Sequence, residues 1–219
     1  MVAGGELSDV ELFGDFTDHE LDDIARSAQS RTLRRGDVLF AEGDHPTELF
    51  IVRSGRIAIS NRSIDGRESV VALMEIGSAF GEMGLFLGEG RTAEARALEA
   101  SDVVAIPYEA VRRVYETRPE LLWSVVALLA GRLRNMDGAL ADAVFLDVTG
   151  RTAKRLLDMA GEADEFTMPV TQEELAGMVG ASRERVNKAI AQFVKLGWIE
   201  QSDRRYRITN RQQLEIRAR

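Results

Sequence analysis

Thr171-Gln172-Glu173-Glu174-Leu175-Ala176-Gly177-Met178-Val179-Gly180-Ala181-Ser182-Arg183-Glu184-Arg185-Val186-Asn187-Lys188 is the stretch on which the fold turns. It opens as a Thr-x-x-Glu capping box, in which the threonine oxygen takes an orphan helical N–H and the glutamate reaches back to the threonine N–H. Gly180 ends that helix after two turns, and Ser182 caps a second helix, Arg183 to Leu196, which Gly197 stops. Two helices joined by a three- or four-residue turn containing glycine, with the small Ala176 where they cross, make a helix-turn-helix. Leu175, Val179, Val186 and Ile190 supply its buried contacts. Beyond it, Trp198-Ile199-Glu200 and Tyr206-Arg207-Ile208 flank a polar turn at Ser202–Arg205, the pattern of a two-stranded wing.

The first exposed turns of the second helix carry Arg183, Glu184, Arg185, Asn187 and Lys188. Reading a major groove asks for these types: arginine or lysine on guanine, glutamate on the cytosine amine. At about 100° per residue, Arg183, Glu184 and Lys188 fall within about 140° of one another, so all three enter one groove. Hydroxyls at Thr149, Thr171 and Ser182 suit phosphate contacts. The charge is spread to match. The chain as a whole carries −8, with −9 in residues 1–118 and +6 in residues 182–219. An acidic body with a basic end is the balance of a sensor joined to an anion-binding module.

Working back toward the N-terminus, Leu122, Val126, Leu129, Leu133, Met136, Leu140 and Ala143 step by alternating fours and threes between Pro119 and Phe145. That is a heptad seam, which predicts a long helix in contact with a second copy, hence a homodimer. Phe145-Leu146-Asp147-Val148-Thr149-Gly150 interrupts it as a hinge, and either Asp147 or Thr149 caps a new helix over Arg151–Ala160. Gly161–Thr167 reads as a short acidic loop.

Upstream the texture is different. A helix capped by Thr17 is followed by short apolar runs at Val38–Ala41, Leu49–Val52, Ile57–Ile59, Ser69–Met74 and Val103–Ile106. Gly36-Asp37, Gly43-Asp44, Ser54-Gly55, Asp65-Gly66 and Gly77 punctuate them. Turn signals at this spacing predict a small jelly roll. The fold class is therefore α+β: a β-roll over 1–118, a dimerisation helix over 119–145 and a winged helix-turn-helix over 146–219.

Other classes fall away. With no cysteine, disulfides, thiolate catalysis, cysteine-ligated zinc and iron–sulfur clusters are excluded. The only histidines, His19 and His45, stand at unrelated positions, which argues against a haem ligand pair or a cupin-type metal enzyme. Leu121–Ala130 is too short an apolar run to span a bilayer, and the N-terminus lacks a signal-peptide pattern. The reading is a cytoplasmic protein with no membrane partner, no metal and no enzymatic activity.

In the order of its parts the chain resembles the cyclic-AMP receptor protein/FNR family of bacterial regulators, most of all actinobacterial members of the cyclic-AMP branch. The resemblance rests on Phe80-Gly81-Glu82-Met83-Gly84, Arg91-Thr92-Ala93, Phe145 to Arg151, and Gly180 to Lys188. It implies a cyclic-nucleotide-binding roll that gates DNA affinity. Gly81 would admit the backbone, Glu82 would accept from the ribose 2′-hydroxyl, Arg91 would pair with the cyclic phosphate, and Thr92 would add its hydroxyl. Backbone N–H groups around Met83 and Ala93 would complete the cradle. It further implies cyclic AMP or another cyclic nucleotide as ligand, palindromic duplex DNA with TGTGA-like half-sites, and RNA polymerase as a further partner.

Three departures stand out. Where the family has a Thr-Ser pair touching the adenine, this chain has Met136 and Asp137, preceded by Asn135. Met136 has no hydroxyl to offer, so Asn135 or Asp137 would have to serve the base. An acceptor at Asp137 also suits the donors of guanine. Arg185 replaces the usual threonine beside the base-reading pair, and the loop Gly161–Met168, where family activators touch RNA polymerase, is short. A constitutive DNA-binding regulator with a degenerate roll, or one gated by a different nucleotide, is the alternative that Met136 raises.

Overall fold

The computed structural model describes residues 4–62 and 68–219. These form two compact units, the first ending at Leu133 and the second beginning at Arg134.

In the first unit, short 3-10 turns at Gly4–Glu6 and Glu11–Phe13 lead to α1 (Asp18–Ser27). Its capping box is closed, Glu20 accepting from the Thr17 N–H at 2.7 Å and its own N–H donating to the Thr17 hydroxyl. The strands that come next are β1 (Gln29–Leu33), β2 (Val38–Phe40), β3 (Glu48–Ser54), β4 (Ile57–Arg62), β5 (Glu68–Met74) and β6 (Ala79–Phe80). After the short α2 (Met83–Leu87) come β7 (Glu94–Ala97), β8 (Ser101–Pro107) and α3 (Tyr108–Thr117). All pairs are antiparallel, in sheets ordered β1-β8-β3-β6 and β2-β7-β4-β5, which is the predicted jelly roll. The Asp65-Gly66 turn lies outside the described residues.

β3 and β8 read as unbroken apolar runs because both of their faces are buried. Leu49 and Ile51 of β3, with Val104 and Ile106 of β8, pack under α1 and α3. Phe50, Val52, Val103 and Ala105 point the other way, between the sheets. β1 and β7 escape sequence reading, because Gln-Ser-Arg-Thr-Leu has a single β-branched residue and no aromatic, and Glu-Ala-Arg-Ala has neither kind.

A 3-10 turn at Pro119–Leu121 opens α4 (Leu122–Phe145). Val125 is buried in the first unit, whereas the seam residues Leu122, Val126, Leu129, Leu133, Met136 and Leu140 stand between 37% and 68% exposed.

The second unit takes the last turns of α4, then α5 (Val148–Ala160), β9 (Glu165–Thr167), α6 (Gln172–Val179), α7 (Arg183–Lys195), β10 (Ile199–Ser202), β11 (Arg205–Ile208) and α8 (Arg211–Arg217). The cap of α5 is Asp147, whose carboxylate accepts from the Gly150 N–H at 2.8 Å; Thr149 sits inside the helix. The acidic segment 161–167, expected to be a loop, is only partly one. Glu165–Thr167 pairs with β11 and makes the wing three-stranded rather than two-stranded, in the order β10-β11-β9. Phe166 secures it by stacking on Tyr206 at 5.6 Å between ring centres. The core holds Leu175, Ala176, Val179, Val186 and Ile190, the residues expected between the two helices.

Candidate ligand cradle and DNA interface

The loop after β6 turns on Gly81, whose φ of +78° suits glycine. A Cβ there would stand 2.7 Å from Nη1 of Arg91, so only glycine lets the guanidinium lie against the main chain. Arg91 is 8% exposed and, among the described residues, forms no salt bridge. Its Nη1 donates to the Gly81 carbonyl at 2.9 Å and to the Tyr108 hydroxyl at 3.0 Å, and its Nη2 donates to the Glu48 carbonyl at 2.7 Å. The guanidinium carbon lies 4.1 Å from the centre of the Phe40 ring. Burial pushes the Tyr108 phenol above its ordinary pKa, against the pull of Arg91. The Nε of Arg91 is buried with no hydrogen-bond partner among the described residues.

Glu82 is 1% exposed. Its Oε1 accepts from Nη1 of Arg132, on α4, at 2.5 Å, and Arg132 also donates to the Ala79 carbonyl. Its Oε2 is buried and has no hydrogen-bond partner among the described residues. Native interiors leave few polar groups unsatisfied, so each such atom calls for a cause. Here a buried acceptor and a buried cationic donor share one cradle, and a molecule with both a hydroxyl and an anionic group matches them. Ala93 is buried, Met83 is half-exposed, and Thr92 is exposed, with its hydroxyl 4.0 Å from Met83 Sδ. Asn135, Met136 and Asp137 belong to the second unit's part of α4. They are exposed, and their side chains form no hydrogen bond or ion pair among the described residues.

Sequence reasoning missed Arg132, Tyr108, Phe40 and the Glu48 carbonyl. For Arg132 a faint signal existed, since it is one of two basic residues in the seam helix. The others depend on strand pairing that no local pattern reveals.

In the second unit the cations divide into two sets. Arg151, Lys154, Arg155, Arg204, Arg207, Arg211 and Arg217 are each engaged with a carboxylate or a backbone carbonyl. Arg134, Lys195, Arg219 and, beside the wing turn, Arg205 are exposed and have no such partner among the described residues, and the same holds for Arg183, Arg185 and Lys188 on the first turns of α7. Glu184 is exposed between them. Ser182 and Thr171 cap α7 and α6 by accepting from the Arg185 and Glu174 N–H groups, which leaves each hydroxyl proton free to donate. Thr149 is half-buried in the first turn of α5.

A β-roll with a buried Glu–Arg cradle and a winged helix-turn-helix with an unpaired basic face define a DNA-binding regulator with a ligand-sensing domain. Comparisons agree. Residues 30–118 match the cyclic nucleotide-binding domain family, and residues 150–217 match the Crp-like helix-turn-helix domain family. A Mycobacterium tuberculosis protein named CRP-like cAMP-activated global transcriptional regulator is 38% identical over 203 residues, covering 90% of this chain and 91% of its own. The Pseudomonas aeruginosa cAMP-activated global transcriptional regulator Vfr is 32% identical over 80% of this chain and 86% of its own. In fold, FixK2 from Bradyrhizobium japonicum superposes with a TM-score of 0.78 at 21% identity, covering 86% of this chain and 96% of its own. The chain belongs to the Crp-Fnr family of transcription regulators, which are not enzymes.

Proposed function

We propose that this chain acts as a homodimer whose affinity for a two-fold symmetric DNA site is set by a cyclic nucleotide, cyclic AMP first, held in the β-roll. The observation that carries this reading is the unpartnered pair inside the roll, Oε2 of Glu82 and Nε of Arg91. Glu82 would accept from a ribose hydroxyl. Arg91 and the Thr92 hydroxyl would hold the cyclic phosphate, and the chain at Gly81, Met83 and Ala93 would close around it. Asn135 or Asp137 would meet the base in place of the hydroxyl that Met136 lacks. The exposed seam of α4 takes its counterpart from a second copy. That arrangement sets two α7 helices in successive major grooves of a TGTGA-type palindrome. Arg183, Glu184 and Lys188 would read bases, while Arg185, Arg205, Thr149, Thr171 and Ser182 would hold phosphates. Such a regulator works in the cytoplasm with RNA polymerase as its further partner.

One feature favours a second reading: three of the Arg91 nitrogen–oxygen contacts are already made within the chain, as a constitutive regulator with a vestigial roll would have them. Calorimetric titration of the full chain with cyclic AMP and cyclic GMP separates the two. Saturable binding that R91Q weakens by about tenfold or more, the scale of a lost charge-assisted pair, supports gating through the roll. No binding of either nucleotide, or equal binding by R91Q, contradicts it.

A further inference from the structure

Within the second unit one guanidinium joins the end of α4 to the helix-turn-helix. Arg151, in the first turns of α5, donates through Nε to the Val179 carbonyl at 2.8 Å. Through Nη1 it donates to the Leu146 carbonyl at 2.7 Å and, more weakly, to that of Ala143 at 3.5 Å. Val179 is the last residue of α6, and Ala143 lies in the last turn of α4. Carbonyls at helix C-termini lack an intrahelical donor and carry the negative end of the helix dipole. Arg151 therefore caps two helices at once, with a planar fork whose donors point to separate acceptors.

The chain beyond Val179 is held in one conformation. Gly180 takes the left-handed region at φ +67°, the Ala181 N–H donates to the Ala176 carbonyl at 3.1 Å, and Ser182 caps α7. Only three residues, Gly180, Ala181 and Ser182, separate the carbonyl that Arg151 holds from Arg183, the first residue of the base-reading helix. Other ties secure the joint without reaching α6. Lys154 pairs with Asp142 at 2.6 Å, and Arg217 pairs with Asp147. Of these three cations, Arg151 is the one that also binds the end of α6.

We propose that Arg151 is a positioning residue for DNA recognition: it keeps the N-terminus of α7 in register with the end of α4, so that displacement of α4 is passed to the recognition helix. Holding α7 in register stands without any ligand. Passing on a nucleotide's effect rests on the gated reading above. Lysine at 151 keeps the charge but cannot reproduce a fork spanning two helix ends.

The test uses full-length wild type, R151K and R151Q. Three quantities are read: amide exchange over residues 179–188, cyclic AMP affinity by calorimetry, and affinity for a palindromic duplex with and without cyclic AMP. Both variants should bind cyclic AMP as wild type does. Their exchange at 180–186 should be about tenfold faster, their ligand-free DNA affinity should fall, and the ratio of affinities with and without nucleotide should move toward one. Wild-type exchange and DNA affinity in folded R151K and R151Q would overturn the proposal. So would a fall in melting temperature and DNA affinity that leaves the ratio at its wild-type value, the mark of a merely structural role. If R151Q does not fold, R151K decides. If wild type itself ignores cyclic AMP, the gated reading fails, and exchange with ligand-free DNA affinity still judges Arg151.

Discussion

Arg132 reaches the buried carboxylate of Glu82 from the long helix, with 2.5 Å between Nη1 and Oε1. Glu82 is almost fully enclosed, so this ion pair compensates a charge that water cannot reach. It ties the carboxylate proposed to accept from a ribose hydroxyl to the helix that carries the seam.

R132A should therefore destabilise the protein by about 3 kcal/mol, the scale for stranding one partner of a buried pair. R132A/E82A should recover much of that loss. Urea unfolding of the two single variants and the double gives the coupling directly; independent, additive losses would show that the pair is incidental.

Glu82 and Arg91 were both legible in the sequence, because a Gly-Glu turn and an Arg-Thr-Ala segment survive as contiguous motifs. Arg132 was not, since nothing local tells which residue on a 24-residue helix faces a carboxylate 50 positions away. The same contrast runs through the fold. Thr17, Thr171, Ser182 and Gly180 are local signals, and the helices they bound fall where capping rules place them. β7 and β9 are strands only because partners pair with them across the chain. Ala95 and Ala97 fill the inter-sheet core although alanine has little strand preference.

Recognition should split between base-reading and phosphate-holding cations. R183A should cost about 1–3 kcal/mol on the preferred half-site and relax discrimination at one position. R185A and R205A should weaken all duplexes alike and lower the salt slope of binding by about 1 each. Equilibrium binding to a panel of single-base variants at several salt concentrations separates the two patterns. A sequence-specific loss in R185A would place that side chain on a base.

The exposed seam predicts a surface mutant that folds but does not pair. L133E should leave the far-ultraviolet circular dichroism spectrum unchanged, because the leucine is 59% exposed in the chain alone. Sedimentation should find the wild type dimeric and L133E monomeric at micromolar concentration, with loss of binding to the palindrome. A dimer that survives L133E would move the contact off the seam.

Asp147 adds an acid-sensitive element. The Gly150 N–H bonded to its carboxylate, with Arg217 beside it, holds its pKa below the ordinary aspartate value. The stability it contributes is present above the unfolded-state pKa of about 4 and is lost as pH falls through the lower folded value. D147A should cost about 1 kcal/mol at neutral pH, as loss of a helix cap does. Melting curves of D147A and wild type should converge once the pH lies below the folded-state pKa of the carboxylate. A gap that persists in acid would assign the loss to something other than the carboxylate.

Gating requires that nucleotide in the roll change affinity at the recognition helix. Fluorescence anisotropy of a labelled palindromic TGTGA-type duplex, with and without excess cyclic AMP at fixed salt, measures this most directly. The predicted result is at least about a tenfold gain with cyclic AMP, within the usual range of allosteric coupling, and its absence in R91Q. Tight, specific binding by wild type that cyclic AMP leaves unchanged would contradict it.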